Sequence, residues 1–132
     1  MIGIIVVTHG QFAAELVSAA RKIVGEMPAV WSVSIGWEDD MSVARSAIQK
    51  AVDELGAEEA LILTDMFGGT PTNVSLPFLS DRVEIVTGVN LPMLIKLSSL
   101  REGRLAEVAR VVRDQGKGAI HVASEILEKR SG

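Results

Sequence analysis

Residues 2–10, IGIIVVTHG, decide the fold class of this 132-residue chain. The run from Ile2 to Val7 is short, almost wholly apolar and rich in β-branched residues, which predicts a strand buried on both faces. From Gln11 to Val24 the apolar residues recur instead at helical spacing, with charged residues off the apolar face. A buried strand followed at once by an amphipathic helix is typical of α/β proteins with a parallel sheet.

The same alternation continues towards the C-terminus. Three further strands are predicted, at residues 29–35, 60–64 and 83–87. Helices are predicted at residues 41–55, 72–79, 92–100 and 105–115. A last short strand is predicted at residues 119–122, followed by a helical turn or two at residues 124–129. We therefore expect one three-layer, doubly wound α/β domain over residues 1–132.

Helical spacing also predicts which side chains are buried. On the first helix the predicted apolar face consists of Phe12, Leu16, Ala19, Ala20 and Ile23. On the second helix it consists of Val43, Ala47, Ala51 and Leu55.

Composition narrows the class of function. Hydrophobic residues make up 48% of the chain and charged residues 23%, which is ordinary for a globular protein and excludes a disordered one. The absence of cysteine excludes disulfides, thiolate metal sites and cysteine nucleophiles. A net charge of −4 and a pI of about 5.2 argue against binding nucleic acid through its phosphates. Neither a signal peptide nor an apolar segment of about 20 residues is visible, so we expect a cytoplasmic protein.

Polar residues follow the predicted strands at the points where these end. In an open α/β sheet, ligands bind beyond the carboxyl ends of the strands, where the strand order reverses. His9 follows the first strand, Asp65 follows the third, and residues 88–90 follow the fourth. If the strand order is 2-1-3-4, the first and third strands are neighbours, and His9 and Asp65 face each other at the reversal.

A histidine and an aspartate in this position have a clear chemical use. The carboxylate can accept a hydrogen bond from Nδ1–H, which leaves Nε2 as a nucleophile and stabilises the positive charge that develops when Nε2 bonds to an electrophile. Gly68 and Gly69 permit backbone shapes that direct N–H groups at an anion, and Thr70 supplies a hydroxyl donor. The helix that follows adds the positive end of its dipole. The combination predicts a phosphohistidine site that needs no metal and no cofactor.

Each of these residues also has an ordinary structural interpretation. Taken singly, His9 can be a polar boundary residue, Gly68 and Gly69 a turn, and Asp65 a turn former or helix cap. Their joint placement at strand ends favours the chemical interpretation. His121, near the C-terminus, is expected to be structural or on the surface.

Other residues and motifs indicate whether the chain carries further kinds of site. Trp37 lies in the loop after the second strand, on the side of the site, which favours a contact with a partner over packing. Asp39 and Asp40 are better explained as helix caps or solvated charges than as metal ligands. A receiver domain would need an acidic pair after the first strand, and no P-loop, Rossmann or nucleophile-elbow motif is present. Two tryptophans and no tyrosine give little support to a flavin site.

Three segments of the chain resemble a known family. They are residues 4–16, IIVVTHGQFAAEL, residues 61–73, LILTDMFGGTPTN, and residues 86–94, VTGVNLPML. In this order they resemble the IIA domain of the mannose-type enzyme II of the bacterial sugar phosphotransferase system, and the resemblance covers essentially the whole chain. It implies four parallel strands in the order 2-1-3-4. It also implies a fifth, antiparallel strand around residues 118–122, exchanged between the subunits of a homodimer.

The resemblance further implies a role for each site residue. His9 matches the phosphoryl acceptor, which is modified on Nε2 by the phosphocarrier HPr and passes the group to a histidine of a IIB partner. Asp65 matches the residue that orients this histidine. Gly68, Gly69 and Thr70 match the loop that holds the phosphoryl oxygens. A IIB protein would be a separate polypeptide, and the membrane would be reached only through a transport complex.

Two other functions remain open for such a chain. One is the phosphotransfer subunit of a dihydroxyacetone kinase, which resembles this family in fold and in its active histidine. The other is a regulatory module whose phosphorylation state is read by a partner. Neither the pathway nor the sugar is identified by the sequence.

Overall fold

The structure is a computed structural model that describes residues 1–131. It contains four strands, β1 (Ile2–His9), β2 (Val30–Ile35), β3 (Glu59–Thr64) and β4 (Val83–Thr87). It contains six α-helices, α1 (Phe12–Val24), α2 (Met41–Glu54), α3 (Thr70–Ser75), α4 (Leu91–Leu97), α5 (Leu105–Gly118) and α6 (Ala123–Ser131). A 3₁₀ turn, Leu76–Phe78, extends α3. The four predicted strands of the parallel sheet agree with these bounds to within two residues, the largest difference being at the end of β1, where the predicted strand ends at Val7.

The four strands form one parallel sheet in the order β2-β1-β3-β4. The expected order 2-1-3-4 is therefore confirmed. In the register of the sheet, Val7 lies opposite both Val33 of β2 and Thr64 of β3. The carboxyl ends of β1 and β3 thus meet side by side, at the point where the strand order reverses.

Alternate residues of β1 pack into two separate cores, one on each face of the sheet. Ile4 and Val6 pack with the residues of α1, α4 and α5, whereas Ile5 and Val7 pack with those of α2. All four side chains are fully buried. Successive side chains of a strand point to opposite faces, so an uninterrupted apolar run requires a helical layer on both sides. The three-layer, doubly wound α/β fold class is therefore confirmed.

The predicted apolar faces of α1 and α2 are only partly correct. On α1 the buried side chains are Ala13, Leu16, Val17 and Ala20. On α2 they are Ala44, Ile48 and Ala51. The predicted Phe12, Ile23 and Val43 are exposed instead. Both helices carry more apolar residues than one face can bury, and the sheet selects the stripe whose small alanines permit close approach.

The predicted fifth strand at residues 119–122 is not formed in the single chain. Helix α5 continues to Gly118, and α6 begins at Ala123 after a short segment without strand pairing. A strand needs a neighbour for its backbone hydrogen bonds, and within residues 1–131 nothing pairs with this segment. The terminal helix predicted at residues 124–129 is confirmed as part of α6.

Of the helices in residues 1–131, none has both the length and the apolar character that a membrane-spanning segment requires.

Candidate active site

His9 ends the central strand β1, and a tight turn carries the chain from it into α1. Gly10 adopts φ of +53°, and its N–H donates to the carbonyl of Ile35 over 2.8 Å, so β1 stays paired with β2 to its last residue. The Thr8 hydroxyl accepts a hydrogen bond from the N–H of Ala13 over 2.6 Å, which satisfies a donor of the first turn of α1. The backbone on both sides of the imidazole is therefore fixed.

Asp65 follows β3 directly and holds His9 through two hydrogen bonds to one oxygen. Its Oδ2 lies 2.7 Å from Nδ1 of the imidazole and accepts a second hydrogen bond, of 3.0 Å, from the backbone N–H of His9. A carboxylate can only accept, so Nδ1 carries the proton and Nε2 keeps its lone pair. The strand order thus brings together the two residues that the sequence places at adjacent strand ends.

The other oxygen of Asp65, Oδ1, is buried and has no protein donor within residues 1–131. Such an atom costs free energy, and it is uncommon in folded proteins. The imidazole is the only side chain of the described residues that pairs with this carboxylate. The negative charge therefore acts chiefly on His9.

Gly69 lies so close to the imidazole that any side chain here would displace the His9 ring or the loop. A Cβ atom at this position would lie 2.8 Å from Cε1 of His9 and 3.3 Å from Nε2. The preceding Gly68 has φ of +91°, a conformation that favours glycine, and a Cβ there would meet nothing within 4 Å. The two glycines thus have different uses, since Gly68 turns the loop and Gly69 brings its backbone to the imidazole.

Thr72, a residue that the sequence analysis did not single out, anchors this loop. Its hydroxyl donates to the carbonyl of Met66 over 2.5 Å and lies 2.7 Å from the hydroxyl of Thr64 at the end of β3. Thr72 is fully buried. A buried hydroxyl that joins a strand end to a loop fixes the path of residues 65–69, and a threonine two residues into a helix gives no signal of this in the sequence.

Thr70 begins α3 and is partly exposed. Its hydroxyl makes no hydrogen bond within residues 1–131. No side chain caps α3 at Gly69. The hydroxyl of Thr70 is therefore a donor that remains available to a ligand beside Gly69.

Trp37 lies over the imidazole of His9. The centroids of the two rings are 5.2 Å apart and their planes differ by 18°, which is a stacked arrangement. The indole is nevertheless 81% exposed. The sequence places Trp37 on this side of the sheet, but the stacking on His9 is a finding of the structure.

Two other polar residues at this end of the sheet, Asn90 and Asp40, have structural uses. Asn90 accepts a hydrogen bond from the N–H of Met93 and donates to the carbonyl of Gly116, so it caps α4 and joins it to α5. Asp40 caps α2, and hydrogen bonds from the Ser42 hydroxyl and the backbone hold the pKa of Asp40 below its ordinary value.

Asp39 likewise has a structural use, because its Oδ2 accepts a hydrogen bond from the backbone N–H of Gly36. In residues 1–131 no three His, Cys, Asp or Glu side chains lie close enough to hold a metal ion. His121 is exposed, in the segment between α5 and α6.

A parallel sheet in this order, with a histidine and an aspartate paired where the order reverses, defines a doubly wound α/β protein with its candidate active site at that edge. Comparison with known proteins identifies the family within this class. The model of the EIIA-man family, described as PTS system fructose IIA component, matches residues 3–113, and the chain belongs to this family.

Individual relatives agree with the family. The PTS system fructose-specific EIIA component of Bacillus subtilis (strain 168) is 32% identical over 133 residues, which cover 98% of this chain and 91% of that protein. The PTS system mannose-specific EIIAB component of Escherichia coli (strain K12) is 30% identical over 109 residues, which cover 76% of this chain and 32% of that longer protein.

A solved structure agrees as well. The mannose/sorbose specific IIA subunit of the phosphotransferase system from Enterococcus faecalis superposes with a TM-score of 0.85 at 28% identity, over 92% of this chain and 93% of that one. The resemblance noted in the sequence is therefore confirmed.

Proposed function

We propose that this protein is a phosphocarrier that accepts a phosphoryl group from phospho-HPr on Nε2 of His9 and passes it to a histidine of a IIB protein. The observation that carries the proposal is the hydrogen bond from Nδ1 of His9 to Oδ2 of Asp65, which leaves Nε2 with a free lone pair. Membership of the EIIA-man family supports it.

The transfer step needs no group beyond the donor, the acceptor and these residues. The lone pair of Nε2 forms a bond to phosphorus while the phosphorus–nitrogen bond of phospho-HPr breaks, and that electron pair stays on the donor nitrogen. The proton on Nδ1 remains in place, and the carboxylate of Asp65 stabilises the positive charge that spreads over the imidazole. In the second transfer the IIB nitrogen attacks phosphorus, and the electron pair of the broken bond returns to Nε2.

The loop of Gly68, Gly69 and Thr70 is the proposed site for the phosphoryl oxygens. Gly69 places its backbone beside Nε2, where the phosphoryl group would be attached. The hydroxyl of Thr70 is available one residue further on. Phosphoryl transfer depends mainly on positioning and on stabilising the charge of the equatorial oxygens, and donors of this kind supply both.

Exposed apolar side chains beside His9 provide a surface for partner proteins. Met66 and Phe67 are 53% and 75% exposed in the loop after β3, and Trp37 covers the imidazole from the loop after β2. Aromatic and methionine side chains are enriched at protein interfaces. HPr and IIB would bind here in turn, in the cytoplasm, and neither step brings the sugar to His9.

The names of the relatives favour sugar transport over the phosphorylation of dihydroxyacetone. They describe components for fructose, mannose and sorbose. A regulatory module would keep its phosphoryl group, whereas a carrier would pass it on. Adding a IIB protein in the following experiment distinguishes the two.

The experiment is to incubate the protein with phosphoenolpyruvate, enzyme I and HPr and to determine the mass of the product. We expect one added phosphoryl group that is labile in acid and stable in base, as a phosphohistidine is. Adding the IIB protein encoded nearest to this chain should then remove the group from His9 and place it on IIB. A chain that stays unmodified contradicts the proposal, and a modified chain that never transfers to IIB supports the regulatory module.

We also propose that the protein is a homodimer in which residues 118–122 of each subunit pair with β4 of the other. Strand β4 is an edge of the sheet, and a groove of about 400 Å³ runs along it, lined partly by the apolar Leu76 and Leu79. Ile120 and Val122 are 75% and 60% exposed. An open edge and an exposed apolar segment of the same chain can satisfy each other when two copies meet.

A further inference from the structure

The stacked indole of Trp37 is held in place by its own loop. The N–H of Gly36 donates to Oδ2 of Asp39 over 2.8 Å, and the N–H of Asp39 donates back to the carbonyl of Gly36 over 3.2 Å. A Cβ at Gly36 would lie only 3.0 Å from Oδ1 of Asp39, so the turn closes tightly around the two residues between them. Trp37 is therefore presented by a short closed turn.

The turn places the indole over the end of β1. Ile35 lies opposite His9 in the sheet, and Trp37 follows two residues later. A Cβ at Gly10 would lie 3.6 Å from Nε1 of Trp37, so the indole packs directly over a residue without a side chain. The indole therefore packs against the turn at Gly10 as well as on the imidazole.

The imidazole is consequently restrained from three sides. Asp65 holds the Nδ1 edge, Gly69 lies against Cε1 and Nε2, and Trp37 covers a face of the ring. A hydrogen bond at one nitrogen still permits the ring to tilt about that bond. A stacked aromatic ring opposes such a tilt and attracts a ring that carries positive charge.

We propose that Trp37 is a positioning residue for His9, which holds the plane of the imidazole for transfer and protects the phosphorus–nitrogen bond of the phosphorylated protein from water. This inference rests on the proposed function. In the unwanted reaction a water oxygen attacks phosphorus, the bond to Nε2 breaks with its electron pair returning to the imidazole, and inorganic phosphate leaves. An indole over the imidazole excludes water from one side of this bond and stabilises the charged ring.

A role in docking alone makes a different prediction, because docking requires a partner. Exposed tryptophans are common at protein interfaces, so the loss of Trp37 could weaken the binding of HPr. Hydrolysis of the isolated phosphoprotein involves no partner, and neither does the environment of His9 in the unmodified chain. Measurements on the protein alone therefore separate positioning from docking.

The test uses two variants at the site, Trp37→Ala and Trp37→Phe. The matched control is Trp31→Phe on β2, because that indole is also partly exposed but lies opposite Ile5, away from the carboxyl end of the strand. First, the proton shifts of the His9 imidazole are measured by NMR in the unphosphorylated proteins. Second, each protein is phosphorylated, separated from enzyme I and HPr, and followed as its phosphate is released.

Trp37→Ala should move the imidazole protons downfield, because the ring current of the stacked indole is lost. It should also speed the release of phosphate roughly threefold to tenfold, as expected for one aromatic stack. Trp37→Phe should restore most of the slow release, and Trp31→Phe should match the parent protein in both measurements.

Unchanged imidazole shifts and unchanged phosphate release in Trp37→Ala would overturn the positioning role, and a higher KM for HPr alone would then assign Trp37 to docking. If the parent protein takes up no phosphoryl group, the proposed function itself is contradicted. In that event the NMR shifts still report whether the indole stacks on His9, so the two failures are distinguishable.

Discussion

One oxygen of Asp65 accepts both the Nδ1–H and the backbone N–H of His9, at 2.7 and 3.0 Å. The side chain and the main chain of the same residue are therefore held by a single acceptor that directly follows the neighbouring strand. Since β1 and β3 are fixed to each other by the register of the sheet, the pairing of His9 with Asp65 is a property of the fold.

Replacing Asp65 should slow phosphorylation while leaving the fold intact. Asp65→Ala removes the acceptor and the charge, and Asp65→Asn keeps the shape but allows an amide to donate to the imidazole and move its proton to Nε2. Both should lower the rate of transfer from phospho-HPr by roughly 10²- to 10⁴-fold, the range for a carboxylate that fixes a histidine tautomer. Rapid-quench kinetics with circular dichroism as the folding control checks this, and a parental rate removes Asp65 from the mechanism.

His9→Ala should abolish phosphorylation by phosphoenolpyruvate, enzyme I and HPr. The other histidine, His121, lies exposed between α5 and α6 and has no carboxylate partner among residues 1–131, so it should not substitute. The measurement is the intact mass of the product, and His121→Ala is the matched control that should be phosphorylated fully. Phosphate on the His9→Ala protein would argue against the assignment.

The sequence predicts the strands and the strand-end residues well because their signals are local. A buried parallel strand such as Ile2–His9 is an uninterrupted apolar run, and the residue after it must lie at the carboxyl edge of the sheet. The pairing of His9 with Asp65 then needs only the strand order. Helix faces are harder, because α1 carries apolar residues on more than one stripe and the sheet decides which is buried.

Loop conformation accounts for what the sequence could not predict. The stacking of Trp37 on His9 depends on how the loop after β2 lies over the end of β1, and the hydrogen bond from Thr72 to Met66 depends on the path of the loop between them. The strand predicted at residues 119–122 has no partner strand within residues 1–131, and under the proposed exchange a second subunit would supply one.

Arg101 should contribute to stability at the end of the sheet opposite the site. Burial lowers the pKa of this guanidinium, which donates to the carbonyls of Ile2 and Ala29 over 2.7 and 3.2 Å. Arg101→Met keeps apolar bulk but loses both hydrogen bonds, so the free energy of unfolding should fall by about 2–4 kcal/mol. Urea denaturation at one protein concentration measures this. Arg104→Met, at an exposed arginine, is the control and should change it by less than about 0.5 kcal/mol.

The proposed strand exchange predicts that charges at residues 119–122 dissociate the dimer. The parent protein should sediment at twice its chain mass of 14.1 kDa, and Ile120→Lys combined with Val122→Lys should sediment as a monomer. Burying two ammonium groups against the apolar groove beside β4 is unfavourable. Ile23→Lys, at another exposed isoleucine, on α1, is the control and should remain dimeric. A parent protein that is monomeric at micromolar concentration contradicts the exchange.

Replacing Gly69 tests a steric contact with His9, whereas replacing Gly68 tests backbone strain in the same loop. Gly69 has φ of −92°, which any residue adopts, so Gly69→Ala should fold normally but bring a methyl group against Cε1 and Nε2 of His9. The imidazole would have to leave Asp65 or the loop would have to move, and transfer should fall by at least about 10²-fold. Gly68→Ala strains the backbone at φ of +91° but meets no atom within 4 Å, so it should lower stability by about 1 kcal/mol with a smaller loss of rate. Phosphorylation rates and urea midpoints of the two variants test this, and equal rates would mean that Gly69 does not approach the reacting nitrogen.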